Sequence, residues 1–137
     1  MLFNLRPHHI NCIFFYIGKG YSEDFVKNMT KIIFLLQKDK NNKIKFITSC
    51  DDLCKHCPNK INNICYYNDK VNKLDQSCIK IYNINLNKIY TFNEIKNNIY
   101  KTFNEKNFIK ICQNCEWFTT GICSKNKIID CKNRFKI

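Results

Sequence analysis

Arginine is scarce in this sequence of 137 residues: of its 23 basic side chains only Arg6 and Arg134 are arginine, set against 11 acidic groups for a formal charge of +12. Two-pronged recognition of phosphates and base edges leans on guanidinium groups. The lysines are also scattered rather than gathered into a basic run, so nucleic acid is a weak candidate partner despite the charge. Long apolar runs are missing as well. The best, Ile32-Ile33-Phe34-Leu35-Leu36, is far short of the roughly 18 residues a membrane span requires, and no membrane partner is expected. The stretch from Met1 to His9 has neither the basic opening nor the unbroken apolar segment of an export signal, which leads to the expectation of a cytoplasmic protein. Nucleotide signatures are absent too: Gly18-Lys19-Gly20-Tyr21-Ser22 does not fit the Gly-x4-Gly-Lys-Ser/Thr pattern of a phosphate loop and reads as a helix break. The Cys-x3-Cys-x2-Cys spacing of radical enzymes that cleave an adenosyl cofactor does not occur. Asp51-Asp52 suits the capping of a turn better than an acid–base dyad. These gaps favour a non-enzymatic reading and leave a metal-dependent enzyme as the third choice.

Lysine, asparagine and isoleucine together fill 63 positions, and all three have A/T-rich codons, so genome composition accounts for much of the skew, the charge included. Cysteine is different. Ten cysteines in 137 residues are more than packing needs, and in a reducing compartment the choice is among metal ligands, redox thiols and codon-driven core filler rather than a disulfide framework.

Cys54-x2-Cys57-x7-Cys65 and Cys112-x2-Cys115-x7-Cys123 share one spacing, each member of the second set lying 58 positions after its counterpart. A Cys-x2-Cys turn aims two sulfurs at one metal, and a seven-residue loop is long enough to return a third. Cysteines that merely fill a core have no reason to keep that register twice. Three sulfurs leave a tetrahedral zinc or a cubane cluster one protein ligand short. The missing donors are sought in His8-His9-x2-Cys12, because on a helix begun by Pro7 both His8 and His9 share a face with Cys12 at helical spacing. Plain surface histidines and a packed thiol are the bland alternative. His56 lies inside the first Cys-x2-Cys and points away from a metal there. Cys78 falls on an apolar helix face and reads as packing, while Cys50 and Cys131 are reserve ligands.

The expected fold is α+β and mainly helical, one domain over residues 1–137 with about four helices, one or two short strands and two cysteine-rich loops. A helix is expected from Pro7 to about Phe15. A second runs from a Ser22 cap to about Gln37, with Phe25, Met29, Ile32 and Leu36 as its apolar stripe. Lys43 to Thr48 reads as a strand, and Asn68 to Tyr82 as a third helix. Thr91-Phe92-Asn93-Glu94 is a capping box that opens a fourth, burying Ile95, Ile99 and Phe103. A short helical turn after Asn104 leads to Cys112.

Leu5-Arg6-Pro7-His8-His9-x2-Cys12, Gly18 to Ser22 followed by Phe25 and Asn28-Met29-Thr30, Asp51-Asp52-x-Cys54-x2-Cys57-Pro58-Asn59, Leu74-Asp75 and Cys112-x2-Cys115-x-Trp117 stand in this order along the chain. Together they resemble a small bacterial and archaeal family, domain of unknown function 1284, thought to bind iron–sulfur clusters. The resemblance implies a metal site at Cys12, Cys54, Cys57, Cys65, Cys112, Cys115 and Cys123, and supplies no activity. Tyr66 and Tyr67 after one loop, and Trp117 and Phe118 within the other, suit a shielded cluster. The leading expectation is therefore a small iron–sulfur protein, with one or two 4Fe–4S clusters, in electron transfer or redox-linked regulation beside a redox protein partner. A structural zinc module that binds a protein or nucleic acid is the alternative.

Overall fold

The computed structural model describes residues 1–18, 22–39, 41–62, 64–112, 121 and 123–137. Lys19, Gly20, Tyr21, Cys115, Trp117 and Phe118 lie outside the described residues. The fold is α+β and 55% helical, with six α-helices and five short strands among the described residues. Both counts exceed what the sequence suggests, since the additional elements are short.

The chain opens with β1 (Leu2–Leu5), whose Phe3 and Leu5 point inward. A tight turn through Pro7 leads into α1, which starts at His9 rather than Pro7 and ends at Phe15; Gly18 follows in the left-handed region at φ +86. Helix α2 (Glu23–Lys38) begins where Ser22 accepts the Phe25 N–H, and it buries Phe25, Met29, Ile32 and Leu36 as the apolar spacing requires. Strand β2 (Lys43–Phe46) then lies parallel to β1, with Leu2 opposite Lys43 and Leu5 opposite Phe46. A parallel pair needs a long crossover, and α1 and α2 supply it.

A 3₁₀ turn at Cys54–His56 precedes a hairpin of β3 (Lys60–Ile61) and β4 (Ile64–Cys65), turned at Asn62, whose φ is 51. Helix α3 (Asn68–Tyr82) keeps the limits read from its periodicity. Strand β5 (Ile89–Thr91) pairs antiparallel with β2 and completes a three-stranded sheet in the order β1-β2-β5. The Thr91–Glu94 capping box is present and opens α4 (Phe92–Ile95), which runs into a π-helical turn at Lys96–Tyr100. Ile95, Ile99 and Phe103 are buried as expected. The turn expected after Asn104 is α5 (Glu105–Cys112), with the Asn104 side chain accepting the Asn107 N–H. Last comes α6 (Ile128–Arg134).

Helix α1 runs through the centre of the molecule. Ile10, Ile13, Phe14 and Phe15 are all within 1% of full burial, and the Phe14 ring lies 4.9 Å from Tyr100, 5.1 Å from Phe103 and 6.2 Å from Phe135. The residues that begin this helix are therefore held against a rigid aromatic core.

Candidate metal centre

The first cysteine loop is a pair of tight turns followed by a hairpin. The Cys57 N–H donates to the Cys54 carbonyl at 3.0 Å and the Lys60 N–H to the Cys57 carbonyl at 3.2 Å, so the chain makes two tight reversals in succession. Pairing of Lys60 with Cys65 across the hairpin then brings Cys65 back towards Cys57, although neither belongs to the group of ligand atoms within 4.8 Å that holds Cys54. Cys54 is buried, while Cys57 and Cys65 are half-buried. Burial raises the Cys57 thiol above its ordinary pKa, and the neighbouring Cys65 and Cys50 thiols add to the rise, which places Cys50 with this group. Burial and then the Asp51 carboxylate raise Cys54 as well. A cationic metal would reverse both effects by stabilising the thiolates.

Asp51 is the hub. Its Oδ1 accepts the Leu53 and Cys54 N–H groups at 3.0 and 3.1 Å, the turn-capping role expected of it. Its Oδ2 accepts the Arg6 N–H and meets His9 Nδ1, both at 2.6 Å. A ring nitrogen of His9, a carboxylate oxygen of Asp51 and the Cys54 sulfur consequently lie within 4.8 Å of one another. Burial alone would raise the Asp51 pKa, but the charge and hydrogen bond of His9 and the Arg6 N–H outweigh it and bring the value to about 2. A carboxylate offers about four lone-pair positions, and Asp51 has used four. It therefore orients rather than ligates: His9 Nδ1 carries the shared hydrogen, and in the neutral ring Nε2 keeps the lone pair that a metal would take.

His8 has a parallel arrangement on the other side. Its Nδ1 lies 2.6 Å from Asp75 Oδ1, which also accepts its backbone N–H at 3.2 Å. Asp75 Oδ2 accepts Arg6 Nε at 2.8 Å, and Arg6 Nη2 reaches the Asn72 side chain at 2.8 Å. Arg6 Nη1 is buried with no hydrogen-bond partner among the described residues. Burial, then His9, lowers the His8 pKa to about 4, so its ring is neutral. His8 and His9 rings stand 4.3 Å apart, but their carboxylates differ, and His9 is the one beside Cys54. His56 is exposed and lines a surface cleft with Asp24, Lys27, Asn28 and Lys31 on α2, away from this group.

In the second loop, Cys112 ends α5 and is buried, as is Cys123; Cys115 lies outside the described residues. Cys12 is half-buried against the core, on the side of α1 where its thiol raises the pKa of the Tyr100 phenol after burial has done most of that. It joins neither His9 and Cys54 nor Cys112 and Cys123 in a group of ligand atoms within 4.8 Å. Cys78 is fully buried on α3 and Cys131 on α6, both within the apolar core. No disulfide joins two described cysteines. Helix α1 thus reaches both loops, through His9 to Asp51 and through Asn11 Nδ2 to the Cys112 sulfur at 3.6 Å.

One expectation changes here. Tyr66 is 69% and Tyr67 44% exposed, packed edge-on against each other at 5.0 Å, so they do not shield the first loop. Residues that sequence reasoning passed over are Arg6, Asn11 and Asp75. Arg6 and Asp75 carried a signal, through their places in Leu5-Arg6-Pro7-His8-His9 and Leu74-Asp75; Asn11 carried none.

Residues 20–121 match the model of a family described as "Protein of unknown function (DUF1284)", a span that leaves Leu5 to Cys12 and Cys123 outside. No curated protein and no solved structure matches the chain.

Proposed function

The chain belongs to the DUF1284 family, and from that premise we propose that it is a small metal-binding protein whose first centre takes Cys54, Cys57, Cys65 and His9 as ligands. The convergence of His9, Asp51 and Cys54 within 4.8 Å carries this reading, because it supplies the fourth donor that three cysteines lack. The donor set fits the group: soft thiolates, a neutral imidazole and a carboxylate that fixes the ring. Cys112, Cys115 and Cys123 form the second set. The burial of Cys112 and Cys123 beside Phe108 favours an iron–sulfur cluster there, and hence electron transfer or redox-linked regulation with a redox protein partner. Such a cluster, when bound, would supply a one-electron redox step. The chain's own part is to exclude water and hold the sulfurs.

Zinc is the second reading, and the exposed Tyr66 and Tyr67 favour it at the first centre, since a closed Cys3His site needs no shielding from solvent. Anaerobic purification followed by absorption spectroscopy and analysis for iron, sulfide and zinc separates the two. Brown protein with iron and sulfide supports a cluster; colourless protein with stoichiometric zinc supports a structural module. Substituting His9→Ala should then remove metal from the first centre alone. Full occupancy with an unaltered spectrum in that variant would exclude His9 as a ligand and direct attention to Cys50.

A further inference from the structure

Asn11 is an anomaly on α1. It is 3% exposed in the middle of a helix whose neighbours Ile10, Ile13 and Phe14 are apolar. Burying an amide is unfavourable unless its groups are bonded, so its partners define its use. The Asn11 carbonyl oxygen accepts the Tyr82 hydroxyl at 2.7 Å. Its NH2 group faces two sulfurs, Cys112 at 3.6 Å and Cys78 at 4.0 Å. In this orientation the hydroxyl holds the amide oxygen and leaves the nitrogen to the sulfurs.

That orientation has a preferred partner. A thiol is a weak acceptor, whereas a thiolate accepts a charge-assisted hydrogen bond roughly twice as strong as a neutral one. Burial, then Cys78 and Cys112, raise the pKa of the Tyr82 phenol. A permanently deprotonated sulfur in this apolar setting needs a metal to hold its charge. A buried donor aimed at Cys112 therefore suits a metal-bound thiolate better than a core thiol.

We propose that Asn11, fixed by Tyr82, is a positioning residue of the second centre that donates an N–H···S hydrogen bond to the metal-bound Cys112 thiolate. Cys78 is the packing neighbour of this bond, at the longer distance. The inference rests on the reading that Cys112 ligates a metal, and it adds how the sulfur's electron-donating power is set. Withdrawing charge from the sulfur raises the energy of its charge transfer to the metal and, in a cluster, raises the reduction potential.

Cobalt(II) reports on this whichever metal is native, because thiolate-to-cobalt charge transfer gives a band in the near ultraviolet. The full chain, stripped of metal and loaded with cobalt anaerobically, is compared with Cys112→Ala, Asn11→Leu and Tyr82→Phe. Loss of part of the band in Cys112→Ala marks the contribution of the second centre. Asn11→Leu should keep the cobalt stoichiometry and move that contribution to lower energy, with a smaller shift in the same direction for Tyr82→Phe. Should Asn11→Leu fold poorly because the Tyr82 hydroxyl is stranded, the double variant Asn11→Leu/Tyr82→Phe leaves no orphaned group and must show the full shift. An undiminished band in Cys112→Ala overturns both this inference and the reading beneath it. A diminished band there, with unshifted energies in Asn11→Leu and the double variant, overturns the inference alone.

Discussion

Asp75 ties the amino-terminal turn to α3. It is wholly buried, holds Arg6 through Nε and holds His8 through both its ring and its backbone N–H. Asp75→Ala would leave the Arg6 guanidinium buried without its counter-charge, a change that costs about 3–5 kcal/mol in comparable buried pairs. Urea unfolding of the variant should show a loss of that order, while Arg6→Met/Asp75→Leu should lose less, since it removes both charges together. The same cluster makes the metal-free protein acid-sensitive. Unfolded, His8 binds a proton near pH 6.5; folded, only near 4. The unfolded chain therefore holds more protons between those values, and stability is full above about pH 6.5 and lost as pH falls towards 4, by about 3 kcal/mol in all. Asp75, whose pKa is lowered by His8 and Arg6 against the effect of burial, adds a further loss at lower pH. Urea midpoints from pH 7 to 5 should fall in the wild type and flatten in His8→Gln. Arg6, His8 and Asp75 stand in the motifs, but their pairing was not legible in the sequence, because the partners stand 66 to 69 positions from Arg6 and His8, and no local pattern encodes a buried ion pair.

Among the elements, legibility followed length and chemical specificity. The α2 stripe, the α3 limits and the Thr91–Glu94 capping box were readable because each is a local rule repeated or closed within a few residues. The turn at Cys54–Cys57 and the hairpin return to Cys65 were readable from spacing, whereas the grouping of Cys54 with His9 and Asp51 was not. Strands β1 and β5 were not, being four and three residues long, too short for a period of two to stand out; they exist because β2 lies between them. Helix α6 did carry a signal, with Ile128, Cys131 and Phe135 at helical spacing and all buried, but Cys131 drew attention as a reserve ligand instead. The β3–β4 hairpin has strands of only two residues, with Ile61 and Ile64 exposed, and such a hairpin cannot hold itself in water. On the metal-binding reading, the metal supplies what packing does not. Chelation should speed amide exchange at Cys57, Lys60 and Tyr66, whose N–H groups close the loop, while the β1–β2 ladder keeps its protection. Equal exchange at the loop amides with and without metal would mean the loop is held by the protein alone.

For the molecule as a whole, α1 acts as a seven-residue strut with independent fastenings at its two ends. At its start, Asp51 and Asp75 grip His9 and His8. At its end, Arg134 from α6 donates to the carbonyls of Phe14 and Tyr16, where the helix C-terminus presents carbonyls without helical partners and partial negative charge. The carboxyl-terminal helix thereby closes over the aromatic core, and Phe135 completes it against Tyr100 at 5.2 Å. If the fastenings are independent, they can be cut separately. Arg134→Met keeps the apolar stem against Phe135 and removes two charge-assisted hydrogen bonds, each of about 1.5–3 kcal/mol when made to carbonyls out of water. Because these are partly exposed, the expected loss is about 2–4 kcal/mol, seen as a fall of several degrees in the thermal midpoint. Metal stoichiometry should stay at the wild-type value, because the end of α1 that carries His9 is held by carboxylates that Arg134 does not touch. A variant that lost stability and metal in proportion would show instead that α1 is placed from its far end, and that the carboxylates only follow.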